Sequence, residues 1–81
     1  MIKNLYSIYD SVAGFYSPVF IAENNAHAIR MMSQSIDMKH KTDFALWKLG
    51  TFNTETGEIC DTTKPMMIQS GQSLETKEEI Q

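Results

Sequence analysis

The chain has 81 residues and a mass of 9.2 kDa, enough for one small domain and too few for two. Apolar residues make up 42% and charged residues 21%, which are globular proportions and exclude a wholly disordered chain. The formal charge of −3 and an isoelectric point near 5.2 argue against a strongly basic nucleic-acid module, whose mark is an excess of Lys and Arg. One cysteine, Cys60, excludes an internal disulfide and fits a reducing compartment better than an intermolecular link. No apolar run approaches the ~20 residues of a membrane span. The opening MIKNLYSIYDS has neither a signal-peptide apolar region nor a small-residue cleavage site. The chain therefore reads as soluble and intracellular, with no membrane contact.

Pro65 divides a body, residues 1–64, from a tail, residues 65–81, because the residue before a proline is pushed to extended conformations. Ile2 to Tyr9 carries the β-branched and aromatic mix of a strand. Asp10 to Gly14 is a turn: Asp10 can accept from amides two residues on, and Gly14 can take positive φ. Phe15 to Ala22 alternates as a second strand, and Pro18, which cannot donate to a ladder, makes it an edge strand or one with a bulge. Five turn residues are too few for a parallel crossover, so these two strands form an antiparallel hairpin.

A helix follows, capped by Asn24 or Asn25. Ala26, Ile29, Met32, Ser33 and Ile36 recur at spacings of three and four, with Ala28 beside them, which predicts an amphipathic helix ending near Met38. Lys39-His40-Lys41 then suits the negative end of its dipole. Phe44 to Phe52 is a third strand. The connection at residues 53–57 places Gly57 for a left-handed or bulge position, and Glu58 to Asp61 is a short fourth strand. In the tail, Met66-Met67-Ile68 either adds a short strand, docks in a groove or stays frayed; Thr76 and Glu79 have capping-box spacing for a short terminal helix.

The body thus predicts an α+β fold of order ββαββ: a four-stranded, mainly antiparallel sheet with one helix packed on one face. One helix covers one face, yet Tyr6, Tyr16, Phe20, Trp47 and other apolar side chains occupy both faces of their strands. A second copy of the chain is the simplest cover, so a homo-oligomer, and specifically a dimer, is expected. A half-exposed sheet with a few solvated aromatics is the plainer alternative.

His27, His40 and Cys60 are the only soft or nitrogen ligands and show no metal-ligand spacing, so neither metal nor cofactor is expected. No nucleophile elbow or phosphate-binding glycine loop is present, and the acidic pairs around Glu55 and in the tail read as solvated, so no catalytic residue is assigned. Nucleic-acid binding has a concrete candidate set. Lys39 and Lys41 at the helix exit, with Arg30 and Lys48, are the phosphate contacts; Trp47 and Tyr16 are a stacking platform. Against this set, the body holds six Lys/Arg and seven Asp/Glu, and the same residues also read as a solvated basic loop and core aromatics.

Six stretches carry a resemblance: Tyr6-Ser7-Ile8-Tyr9-Asp10-Ser11, Phe15 to Phe20, Ala28-Ile29-Arg30, Asp43-Phe44-Ala45-Leu46, Gly50-Thr51-Phe52 and Thr56-Gly57-Glu58-Ile59. In order and spacing they resemble the small non-structural protein of gokushoviruses, in the Microviridae, over about residues 4–60. Members of that family are described as DNA-binding or single-stranded-DNA-synthesis proteins. The resemblance implies a bacteriophage protein of the host cytoplasm that assists single-stranded DNA genome replication or packaging, with single-stranded DNA or replication and packaging proteins as partners. The alternative is a homo-oligomeric protein-interaction module that never touches nucleic acid.

Overall fold

The computed structural model describes residues 1–61 and 64–74. Along them run β1 (Ile2–Asp10), β2 (Phe15–Tyr16), β3 (Phe20–Ala22), α1 (Asn25–Ser35), β4 (Phe44–Asn53), β5 (Ile59–Cys60) and β6 (Met66–Ser70). Short 3-10 turns occupy Met38–Asp43 and Gly71–Ser73. The fold is α+β and its strand pairs are antiparallel, but the sheet has six strands where four were expected.

The two extra strands have different origins, one a local break and one a free sheet edge. Residues 15–22 break at Pro18, which has no N–H to give, so β2 and β3 lie one after the other along the same edge of β1. Ser17 carries the ladder across the gap. Its N–H donates to the Ile8 carbonyl at 2.7 Å, its Oγ accepts from Ile8 N–H at 2.9 Å, and its carbonyl accepts from Ser7 Oγ at 2.7 Å. On the other side, β5 and β6 share the far edge of β4: β5 pairs with Thr51 and Phe52, β6 with residues 45–48. The six strands therefore fill four lanes, with β1 and β4 in the middle. Of the alternatives for the tail, Met66-Met67-Ile68 takes the strand; the Thr76/Glu79 helix lies outside the described residues.

The helix begins where expected. Asn24 is the cap, its Oδ1 accepting from His27 N–H at 2.8 Å. It ends three residues before Met38, with Ile36 already extended. Ser33 and Ser35 turn their hydroxyls back onto the carbonyls of Arg30 and Met31, each at 2.8 Å, which competes with helix propagation. Asp37 then caps the next turn by accepting from Lys39 N–H at 3.0 Å. Lys39, His40 and Lys41 consequently sit in a separate 3-10 turn and not on the last turn of α1.

The alternation of β4 is also reset. Tyr6 pairs with Lys48 but Leu5 with Gly50, so Leu49 is an extra residue, a bulge. Phe44, Leu46 and Lys48, opposite Asp10, Ile8 and Tyr6, face the helix, as simple alternation along the strand places them. Past the bulge Thr51, opposite Asn4, takes that side, and Gly50, opposite Leu5, takes the other. Gly14 and Gly57 do adopt positive φ in their turns. The core lies between α1 and the sheet: Tyr6, Ile8, Ala22, Ala28, Met32, Leu46 and, from beyond Pro65, Leu74.

Candidate interaction face

Successive residues of a strand point to opposite sides, so the register fixes what each face carries. Tyr6 and Phe20, expected among the aromatics in need of cover, lie on the helix side with their rings stacked 6.0 Å apart. The Tyr6 hydroxyl donates to Asn25 Oδ1 at 2.7 Å, tying β1 to the start of α1. Burial pushes the Tyr6 phenol above its ordinary value, with the Asn4 side chain pulling partly the other way.

Among the described residues no helix lies on the other side. At one end Leu5 floors a hollow of about 440 Å³, walled by Val19, Ile21, Leu49, Phe52 and Ile59. Val19, Ile21 and Ile59 are 56%, 44% and 58% exposed, although all three are fully apolar. Toward the other end stands a ridge of rings. Tyr9 and Tyr16 are 4.8 Å apart, and Tyr16 meets Trp47 edge-on at 6.3 Å. Met67, paired with Trp47, extends the ridge and is 54% exposed. Trp47 Nε1 is buried and has no acceptor among the described residues. Between hollow and ridge, Ser7 is completely buried. Of the charged strand residues Lys3, Asp10 and Lys48, only Lys3 falls on this side, and its ammonium is bonded to Glu23 at the rim. That bond holds the Glu23 carboxyl below the usual carboxylate range.

The six candidate nucleic-acid contacts divide between the two sides. Tyr16 and Trp47 come together on the helix-free face. Arg30 is exposed on α1, Lys48 lies on the helix side of β4, and Lys39 and Lys41 occupy the 3-10 turn between those elements. Lys41 donates to the Leu74 carbonyl. Arg30, Lys39 and Lys48 make no ion pair among the described residues. Phosphate contacts and stacking platform are thus not assembled into one groove. No cluster of three or more His, Cys, Asp or Glu gathers among the described residues, and no helix there is long and apolar enough to cross a membrane.

The hollow was missed as a unit. Its signal is present in the alternation of β3 and β4, but the Leu49 bulge, which the alternation hides, is what brings Leu49 and Phe52 to the same side.

Fold and face together define a class: a small α+β protein whose sheet is packed on one side and, among the described residues, apolar and uncovered on the other. Residues 3–74 match the Phage ORF5 protein family, and the chain belongs to that family. It is a bacteriophage protein. No curated protein and no solved structure matches it.

Proposed function

We propose that this phage protein is a non-enzymatic accessory of single-stranded DNA genome replication or packaging in the host cytoplasm, and that it touches DNA through backbone phosphates on its helix side. The role is supported by the resemblance carried by residues 4–60. The contact is supported by one observation above all: Arg30, Lys39 and Lys48 stand on the helix side and the turn that follows it without carboxylate partners among the described residues, away from the aromatic face.

Fluorescence anisotropy with a labelled single-stranded oligonucleotide tests this. Three phosphate contacts predict a slope of about −2 for log K against log salt, at roughly −0.7 per contact on single strands. R30E combined with K39E flattens that slope, and W47A leaves it unchanged. Absence of binding at tens of micromolar protein in low salt refutes direct DNA contact. The net charge of −3 favours the second reading, a protein-interaction module without nucleic-acid contact, and that result would select it.

A further inference from the structure

The helix-free face has a shape that bears on what covers it. Hollow and ridge follow one another along the same strands, the hollow around Leu5 and the ridge from Ser7 to Tyr9. A two-fold axis lying in the plane between two such faces, and running across the strands, reverses strand direction and keeps each lane over its own counterpart. It therefore sets the ridge of one copy over the hollow of the other, twice. In the outer lane, Ile59 of one copy meets Met67 of the other. This axis lies level with Leu5, and in the next lane it sets Trp47 of one copy over Phe52 of the other.

We infer that the protein is a face-to-face homodimer, joined through the helix-free sides of its two sheets with each aromatic ridge seated in the partner copy's hollow. The inference names a partner for the face that the proposed DNA contact leaves unused, so it goes beyond that reading and stands or falls separately.

Size and charge both fit a second copy. Four lanes at ~4.8 Å and strands of nine or ten residues at ~3.3 Å give a flat projection on the order of 600 Å², and corrugation raises the accessible area above that. A standard interface takes about 800 Å² from each partner. A chain of net charge −3 resists self-association where its carboxylates face each other, but this face carries no charged strand residue except the paired Lys3. A protein partner of opposite charge would find nothing there to recognise. Face-to-face packing at ~10 Å also leaves the helix sides, with Arg30 and Lys39, on the outside.

Sedimentation equilibrium of the full chain at tens of micromolar is the test. The expected mass is twice the 9.2 kDa of one chain. I59K alone and M67E alone should each weaken the dimer at least about tenfold. Both positions are more than half exposed in one chain, so folding should tolerate them, which far-UV circular dichroism of each variant checks. I59K/M67E in the same chain should restore the dimer, because each Lys then meets a Glu of the other copy. The two side chains lie about 15 Å apart within one chain, too far to pair internally. R30E, on the helix side, should leave the mass unchanged. A wild-type monomer, single variants that stay dimeric, or a double variant that stays monomeric each overturns the inference. Loss of DNA binding by R30E/K39E with the dimer intact, or the reverse, separates failure of one proposal from failure of the other.

Discussion

Replacing Gly71 by Ala puts a methyl group where the fold has no room for one. A Cβ there would lie 1.7 Å from the Lys41 carbonyl oxygen and 2.6 Å from that of Phe44, and real Cβ contacts keep at least 3.0 Å. Both obstacles are backbone, one in the 3-10 turn after the helix and one at the head of β4, so neither can swing aside. The chain has two responses: to shift the Gly71–Ser73 turn by more than an ångström, or to release it. Release exposes Leu74, only 6% accessible in the native fold, and breaks the bond from the Lys41 ammonium to the Leu74 carbonyl. Burying a leucine side chain contributes roughly 1.5–3 kcal/mol. A hydrogen bond from a charged donor at a part-buried site adds about 1 kcal/mol. Release thus caps the cost of G71A at roughly 2.5–4 kcal/mol, because strain beyond that frees the turn. Total stability for a chain of this length is roughly 4–12 kcal/mol.

Urea unfolding followed by Trp47 fluorescence, at fixed protein concentration, reads the effect. With a slope of ~1 kcal/mol per molar urea, the midpoint should fall by about 2.5–4 M. G57A is the control. Gly57 has φ +80° but no atom within 4 Å of a built Cβ, so only backbone strain of about 1 kcal/mol applies. A double-mutant cycle sharpens the test: once G71A has released the turn, L74A should cost little more, whereas alone it removes a core side chain. If G71A is no worse than G57A, or if G71A and L74A simply add, the reasoning fails.

Three further outcomes are expected. N24A removes the acceptor of His27 N–H and should cost about 1 kcal/mol in urea, with N24G costing only a few tenths; equal losses would mean that the cap is not the cause. Tyr6 should make the fold alkali-sensitive. Its folded pKa is raised, so its contribution is present below the unfolded value near 10 and falls as pH climbs past it. In an ultraviolet titration, Tyr6 should ionise above the ordinary phenol value, together with unfolding, and Y6F should remove that dependence. Glu23 works at the other end. Its lowered pKa gives stability that is present above the ordinary carboxylate value and lost as pH falls through the lowered one, so E23Q should flatten the acid side of the stability profile.

The helix, its cap and the long strands β1 and β4 were legible because each rests on a local pattern: Asn24 before a three-four repeat, and β-branched or aromatic runs ended by turn residues. What escaped depends on partners distant in sequence. The Leu49 bulge follows from how β1 and β4 pair, not from any residue at position 49. The strand at Met66–Ser70 exists because β4 offers a free edge, and Leu74 joins the core because Gly71 lets the turn approach Lys41. The early end of α1 was written in Ser33, Ser35 and Asp37, but such hydroxyl and carboxylate bonds compete with helix rather than forbid it. The split of the candidate cations from Trp47 and Tyr16 follows from strand parity: Lys48 and Trp47 are neighbours, and neighbours in a strand face opposite ways.

Among the described residues, the material that covers the sheet lies on one side. An eleven-residue helix spans about 16 Å and is roughly 10 Å wide, a fraction of a sheet face on the order of 600 Å². Phe20, Met38, Phe44, Ile68 and Leu74 complete the cover around it, and all of them pack on the helix-side core. No described element is left for the side holding Ile21, Phe52, Ile59 and Trp47. A chain near 60–80 residues buries only about 60–65% of its unfolded surface, and one of twice that length nearer 70%. Joining two sheets through their bare faces moves this chain from the first bracket to the second without a single added residue. The same packing gives each copy the second layer that its own length denies it, and it turns the helix sides of both copies, with Arg30 and Lys39, outward in pairs.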